Sequence, residues 1–414
     1  MNQYPKLRFL EAIPLEEDQS QHFALRDPAG IAEEVIVVTG EALFLMQFFD
    51  GKHSLLDIRA EYQRTFGAFL PEERLHKLVT QLELTYFLEG EVFQEYQRSL
   101  EKDVLSQTLR RAAHAGSSYP NEPQALRAQL DQFYAKSGED LHHNQHTQTH
   151  ASARVMGLIA PHIDLRVGGV CYTHAYRALA VAPADVFVIL GTGHSGLHNC
   201  YSCLPQDFET PLGVVPHDAE FIRELTRRHP FELFAEPLPH RAEHTIEFQT
   251  VYLQHLLGGK HEFTIVPLLC SYAYVMMTDE RFRRERKIIE AFVEALRQTC
   301  AQQTARGKKV CVIASVDFSH VGPRYGDPHA PDAAFLQNVR NADYELIEAI
   351  TRVDANRFVA STARLEDQYR VCGFAPMHTL LAATTAKTGK LLQYEQGRVD
   401  DQKSVVSYAS MALY

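Results

Sequence analysis

Histidines follow three apolar segments of the chain, each the length of a strand. The segments and their histidines are 155–160 with His162, 186–190 with His194, and 310–315 with His320. Short apolar segments of this kind are typical of buried strands. In parallel α/β sheets ligands bind beyond the carboxyl ends of the strands, so three endings with the same chemistry predict one shared site.

Two further segments carry residue types that suit this site. His244 and Glu247 lie three positions apart, which places them on one face of a helix. Cys372 precedes Gly373, and a tight turn there would expose the thiolate. Imidazole and thiolate bind borderline or soft divalent ions, while a neighbouring carboxylate orients a ligand or takes a proton. A single histidine is more often structural than a ligand, but the repetition favours a metal pocket.

Other metal-like features of the sequence have a simpler interpretation. The histidine-rich tract 142–150 lacks apolar periodicity and is interpreted as a flexible linker, with incidental metal binding as the alternative. Cys200 and Cys203 form a CxxC without a second CxxC, so an incidental pair in a loop is favoured over a zinc site.

Composition excludes several classes of protein. Of the 414 residues, 45% are hydrophobic and 22% are charged, as in ordinary globular proteins. No apolar run reaches the length of a membrane helix. The net charge of −11 opposes binding to nucleic acid. The first residues do not resemble a signal peptide and the seven cysteines are scattered, so we expect a cytoplasmic protein with reduced thiols.

The elements that must position the candidate residues form two predicted domains, 1–100 and 101–414. In the second, apolar strands alternate with helical segments, which predicts an α/β sheet. The first contains a β-branched segment at 35–38, amphipathic segments at 41–49 and 71–84, and a helix capped by Ser54 and Asp57. These elements predict a small winged-helix-like module, and a helical connector follows at 96–109.

The N-terminal pattern resembles PqqD-like domains, which bind peptides for modifying enzymes. The resemblance runs from the strand through "FFDGKHSLLDIRAEY" (48–62) to "LELTYFLEG" (82–90). It implies a peptide partner for this module. A structural appendage or a dimerisation arm is the alternative interpretation.

The second domain resembles the Memo family, called AmmeMemoRadiSam system protein B in prokaryotes. Seven motifs occur in the family's order: "RAAHAGSSYP" (111–120), "LIAPHIDLRVGG" (158–169), "ILGTGHSG" (189–196), "AEHTIEFQ" (242–249), "ASVDFSHVG" (314–322), "VCGFAP" (371–376) and "SVVSYASMAL" (404–413). The resemblance implies a fold similar to class III extradiol dioxygenases, with a mixed central sheet flanked by helices. It also implies radical SAM and AMMECR-type proteins as functional partners.

The resemblance also assigns roles to residues of this sequence. By motif, the metal ligands would be His162, His194 and Cys372. The residues that hold these ligands or move protons would be Asp317, His320, His244 and Glu247. The chain departs from the common pattern at Asp164, which would orient His162, act as an extra ligand, or simply cap a helix.

Three functions fit this predicted site. The first is redox chemistry on iron or copper, as in a non-haem oxidoreductase. The second is a non-catalytic metal-binding or peptide-binding scaffold. The third and weakest is a zinc hydrolase in which Glu247 or Asp317 activates a metal-bound water.

Overall fold

A computed structural model describes residues 3–15, 22–141 and 154–414. The histidine-rich tract 142–150 lies outside the described residues, so its predicted role as a linker stays a prediction. The chain divides into two compact units, Met1–Ser106 and Gln107–Tyr414. The helix that spans residue 100 belongs wholly to the first unit, so the boundary between the units lies at 106/107, a few residues after the predicted boundary at 100/101.

The first unit contains a three-stranded antiparallel sheet in the order β1-β2-β3, followed by helices. Its elements are β1 (Glu11–Pro14), β2 (His22–Arg26), β3 (Ile36–Thr39), α1 (Gly40–Met46), α2 (Leu55–Phe66), α3 (Glu72–Leu84) and α4 (Glu91–Ser106). The predicted strand, the three predicted helices and the helical connector are therefore confirmed within a few residues.

Local sequence explains where these helices begin and what they bury. The capping box predicted at Ser54 and Asp57 is present, because each side chain accepts a hydrogen bond from the other's backbone amide. Helix α2 ends at Gly67, whose φ of 65° favours glycine. Helix α3 buries Leu75, Val79 and Leu82, which share one face at helical spacing.

A buried ion pair also ties the first unit together. Arg8 donates to Asp27 over 2.8 Å and to the carbonyl oxygen of Tyr86 over 2.8 Å. The Asp27 carboxylate also accepts backbone N–H groups of Ala29 and Ala32, both at 2.9 Å. These bonds satisfy a charge that would otherwise be costly to bury.

The second unit is a mixed α/β structure. Its strands are β4 (Leu109–Arg110), β5 (Gly157–Ala160), β6 (Val186–Thr192), β7 (Tyr201–Cys203), β8 (Asp207–Thr210), β9 (Gly213–Val215), β10 (Thr264–Cys270), β11 (Val310–Ser315), β12 (His320–Val321), β13 (Gly389–Arg398) and β14 (Val405–Leu413). Its helices are α5 (Pro123–Leu141), α6 (Leu165–Ala180), α7 (Ala219–Arg228), α8 (Pro239–Ala242), α9 (His244–Leu257), α10 (Val275–Thr278), α11 (Arg283–Ala305), α12 (Ala333–Thr351), α13 (Ala355–Arg364) and α14 (Phe374–Ala383). Short 3₁₀ helices span Glu280–Phe282 and Pro323–Tyr325.

The main sheet brings the three predicted histidine-bearing strands side by side. Its order is β12-β14-β5-β11-β6-β10-β7, with β13 paired to β14. Strands β5 and β6 flank β11, and all three are parallel. Every residue of these strands is buried, as expected where helices cover both faces. The predicted α/β class and the mixed sheet flanked by helices are confirmed.

Helices pack on this sheet in two groups. Helices α6 and α9 contact each other and the central strands, and so do α11 and α14. A separate small sheet has the order β4-β8-β9. Among the described residues, none of the helices combines the length and the apolar character that crossing a bilayer requires.

Candidate metal-binding site

Three histidines meet where the central parallel strands end. His162 follows β5, His194 follows β6, and His244 is the first residue of α9. One ring nitrogen from each lies within 4.8 Å of the other two, a spacing that could hold a metal ion. The centroid distances between the rings are 5.0, 5.1 and 5.4 Å. The structure thus joins two predicted ligands to His244, for which a supporting role was predicted.

Hydrogen bonds fix which nitrogen of each ring is free. Nδ1 of His162 lies 3.0 Å from the carbonyl oxygen of Ser315. Nδ1 of His194 and Nδ1 of His244 lie 3.1 and 3.2 Å from the carboxylate of Glu243. Because these oxygens only accept, each Nδ1 carries a hydrogen, which in the neutral ring leaves the lone pair on Nε2. This is the arrangement that metal-binding histidines adopt in proteins.

Glu243 is the residue of the site that sequence reasoning missed. It caps α9 and accepts the backbone N–H groups of His194, His244 and Thr245 as well as two imidazoles. Burial by itself would raise the pKa of this carboxyl, but the hydrogen bonds from the two imidazoles hold it well below its usual range. Its signal in the sequence was an acidic residue immediately before the helix that begins at His244.

Cys372 and Asp317 lie beside His162. The Sγ atom of Cys372 is 3.3 Å from Nε2 of His162, and Oδ2 of Asp317 is 3.6 Å from the same nitrogen. The other carboxylate oxygen of Asp317 accepts the backbone N–H of His162 at 3.0 Å. Burial raises the pKa of Asp317 to about 7 and raises the pKa of the Cys372 thiol well above its usual value. The predicted thiol and carboxylate are therefore in the pocket.

Gly373 allows this approach, for a reason that differs from the predicted one. Its φ is −82°, so a left-handed turn does not require glycine here. A Cβ atom at this position would instead lie 2.5 Å from Cβ of Val316 and 2.7 Å from the carbonyl oxygen of Asp317. Glycine lets the backbone beside Cys372 pack directly on the end of β11.

His320 is held at the same pocket by a neighbouring loop. Its Nδ1 lies 3.0 Å from the carbonyl oxygen of Phe318 and 3.2 Å from that of Arg370, so this nitrogen carries the hydrogen. Burial lowers the pKa of His320 to about 4, which leaves the ring neutral at pH 7 with a lone pair on Nε2. Arg370 in turn donates to the carbonyl oxygen of His320 and pairs with Asp327.

Backbone strain is concentrated in the loop that leads to Cys372. Glu366, Asp367 and Arg370 have φ values of 50°, 46° and 57°, in the left-handed region that side chains disfavour. The Asp367 carboxylate accepts the N–H of Val371 at 2.8 Å and so stabilises this path. Such strain is frequent where a chain must present a functional side chain.

Asp164 caps a helix. Its side chain accepts the backbone N–H of Arg166 at the start of α6 and forms an ion pair with the same residue at 2.6 Å. Nδ1 of His162 is bound to Ser315 instead. Asp164 lines the pocket, and of the three predicted alternatives the structure shows the helix cap.

Glu247 lies away from the pocket, contrary to the prediction that it lines the pocket beside His244. Its carboxylate is fully buried against Arg110 and the hydroxyl of Tyr119. It also accepts the backbone N–H groups of Ala113 and His114. A buried carboxylate needs a cation and donors, and the segment at the start of the second unit supplies both.

The candidate residues surround a cavity of about 910 Å³. Its polar floor is formed by His162, His194, His244, Asp317, His320 and Cys372. Ile163, Val167, Val371, Val399 and Val406 contribute apolar surface, and Asp164, Arg166, Arg324, Tyr325, Asp367 and Arg370 complete the lining. A cavity with convergent polar groups on an apolar wall is typical of small-molecule sites.

Comparison with known proteins places this site in a family. The family described as "Memo-like protein" matches residues 110–412. A MEMO1 family protein of Aquifex aeolicus is 30% identical over 414 residues, covering 99% of this chain and 100% of the relative. MEMO1 family proteins of Methanosarcina barkeri and Thermus thermophilus are 29% and 26% identical and cover 74% and 87% of this chain. The Aquifex relative therefore spans both units.

Proposed function

Because this chain belongs to the Memo family, we propose that its second unit binds a metal ion through His162, His194 and Cys372. The observation that carries the proposal is the shared arrangement of the imidazoles, in which each Nδ1–H has an acceptor and Nε2 is the nitrogen left to bind an ion. His244 belongs to the same group and is added to the proposed donor set. Cys372 contributes a sulfur beside His162.

The donor chemistry supports iron or copper, with zinc as a further option. Imidazole nitrogens suit iron, copper and zinc, and a thiolate adds a soft ligand. Burial raises the pKa of the Cys372 thiol, so its thiolate form requires a cation beside it. An iron or copper ion bound here would supply a Lewis-acid and redox centre with room for a small substrate.

The surrounding side chains support an oxidoreductase. Asp317 presents Oδ2 3.6 Å from Nε2 of His162, where a carboxyl group can hold or release a proton beside a bound substrate. The neutral ring of His320 presents a lone pair at Nε2 that can accept a hydrogen bond from a bound substrate. A carboxyl that can carry a proton and a hydrogen-bond acceptor beside the proposed metal site suit a non-haem, dioxygenase-like reaction. Similarity to the class III extradiol dioxygenase fold is part of the same proposal.

Two alternatives remain distinct from this proposal. A metal-binding scaffold would use the same ligands without turnover. A zinc hydrolase would use Asp317 as the base, since Glu247 is committed to Arg110 and Tyr119.

We propose peptide binding for the first unit, as its PqqD-like and winged-helix-like pattern suggests. Ile36 of β3 and residues of α3, including His76, Thr80 and Leu84, line a groove of about 740 Å³. Among the described residues, β3 pairs with β2 and has no strand on its other edge. An extended peptide could add to that edge through backbone hydrogen bonds. The same proposal places the protein in a peptide-modification pathway with radical SAM and AMMECR-type proteins as partners, as the family resemblance implies.

A cytoplasmic location fits the proposed pathway. All seven cysteines are free, as expected in a reducing compartment.

Partners captured with the full chain and with a chain that begins at Gln107 would test the peptide role of the first unit. Loss of a partner with the shortened chain supports it, and identical partners contradict it.

Metal analysis tests the central proposal. The protein is purified anaerobically without a histidine tag, beside His162→Ala and Cys372→Ser. We expect bound iron or copper in the wild type and a loss of metal in both variants. Equal metal content in all three would contradict the site.

Oxygen uptake separates the alternatives. Uptake with catechols or a pathway peptide supports an oxidoreductase, whereas bound metal without turnover supports a scaffold. Full zinc occupancy without redox activity favours the hydrolase.

A further inference from the structure

Three buried side chains connect the start of the second unit to helix α9. Arg110, Tyr119 and Glu247 are 4%, 3% and 0% exposed. Glu247 accepts from the guanidinium of Arg110 and from the hydroxyl of Tyr119. It also accepts the backbone N–H of Ala113 at 3.0 Å and of His114 at 2.9 Å. We call Arg110, Ala113, His114, Tyr119 and Glu247 the brace.

The brace holds the turn that leads into α9. Nε of Arg110 donates to the carbonyl oxygen of His240 at 3.1 Å, and one Nη donates to the carbonyl oxygen of Glu243 at 2.9 Å. Nε2 of His114 lies 2.8 Å from the carbonyl oxygen of Ala242. Three carbonyl groups within four residues are thus fixed by the brace.

This turn carries the residue that orients two of the proposed ligands. The backbone of Glu243 is held by Arg110, while its carboxylate holds His194 and His244. Any shift of the Glu243 backbone therefore displaces the acceptor of both imidazoles. The rings of His114 and His244 also meet edge to face at 5.7 Å.

We infer that Arg110, Tyr119 and Glu247 are positioning residues of the metal centre, an inference that depends on the proposed metal-binding function. The guanidinium of Arg110 is planar and reaches His240, Glu243 and Glu247 at once. A lysine has one nitrogen on a flexible stem and cannot reproduce that geometry. Loss of outer partners of metal ligands typically weakens metal binding about 10- to 100-fold.

Titration with Co²⁺ tests the inference in the full chain. We expect Arg110→Lys to bind Co²⁺ up to about 10-fold more weakly than the wild type, a smaller effect than loss of the Glu243 carboxylate itself, with a changed visible spectrum of the bound ion. Tyr119→Phe removes a single hydroxyl from Glu247 and keeps the aromatic ring against Phe248, so it should fold and show a smaller change in the same direction.

Arg8→Lys is the matched control, because it disturbs a buried ion pair in the first unit. It should lower stability and leave the Co²⁺ affinity and spectrum unchanged. If the wild type binds neither Co²⁺ nor iron or copper, the proposed function is wrong. If the wild type binds and both brace variants bind with the same affinity and spectrum, the positioning role is wrong. Equal weakening by Arg8→Lys would also contradict it, because the effect would then be general.

Discussion

Each of the two units contains a buried arginine–carboxylate pair, and the pairs differ in what they hold. Arg8 and Asp27 tie a loop to the small sheet of the first unit. Arg110 and Glu247 fix the turn at Glu243, which orients two histidines. The same chemistry therefore supports the fold in one unit and extends to a candidate site in the other. The difference is the location of the second pair beside the ends of parallel strands.

Removing the carboxylates gives the largest expected effect. Asp27→Ala and Glu247→Ala each leave a buried arginine without its partner, so each should lower the free energy of unfolding by about 3–5 kcal/mol. Chemical denaturation measures this loss. Only Glu247→Ala should also weaken metal binding. Weakening of similar size in both variants would remove the distinction between the two pairs.

Asp343 is a buried carboxyl of a third kind, because hydroxyl groups surround it where Asp27 and Glu247 each have an arginine. It accepts from Ser319, Ser407 and Tyr394, and burial raises its pKa to about 6. A raised folded pKa means that its contribution to stability is fully present below pH 3.8 and is lost as the pH rises through about 6. The loss amounts to about 3 kcal/mol.

Asp343→Asn should abolish this pH dependence. Denaturation midpoints of wild type and variant, measured between pH 4 and 7, give the test. The stability of the wild type relative to the variant should fall as the pH rises, and a constant difference would contradict the assignment to Asp343.

Two glycines separate local strain from an effect on the site. At Gly67 a side chain would point into open space, but the φ of 65° is unfavourable for any residue with a Cβ atom. Gly67→Ala should therefore lower the free energy of unfolding by about 1–2 kcal/mol. At Gly373 a Cβ atom would collide with Val316 and Asp317, so Gly373→Ala should cost about 1–3 kcal/mol. Metal content should fall in Gly373→Ala alone. Normal metal content in a folded Gly373→Ala protein would show that the close packing does not position Cys372.

Two helix caps give the smallest expected effect. Ser54→Ala and Asp164→Ala each remove a side chain that accepts a backbone N–H, which should cost about 1 kcal/mol in thermal unfolding. Metal affinity should stay unchanged in both variants, although Asp164 lines the pocket. A loss of metal in Asp164→Ala would restore this carboxylate as a ligand.

Local patterns predicted much of the fold. The capping box at Ser54, the helix at His244 and the three histidine-bearing strands depend on neighbouring residues and were visible in the sequence. The strand order was not visible in the sequence, because β5, β11 and β6 lie far apart along the chain. The expectation that the strand ends share one site followed from a general property of parallel sheets and did not require the order.

The difference between local patterns and contacts of residues far apart in the chain also explains the errors at the site. Glu247 was placed in the pocket from its spacing to His244, but its partner Arg110 lies 137 residues away. Glu243 was overlooked because its role depends on contact with His194, which lies just after β6, far from α9 in the sequence. Contacts of this kind are set by tertiary packing, so periodicity and spacing cannot predict them.

X-ray absorption of the protein loaded anaerobically with Fe²⁺ tests the proposed donor set. We expect imidazole nitrogens and one sulfur as neighbours of the iron, and Cys372→Ser should remove the sulfur while the imidazole signal persists. A spectrum with only oxygen neighbours, or one that Cys372→Ser leaves unchanged, would contradict the proposed metal site.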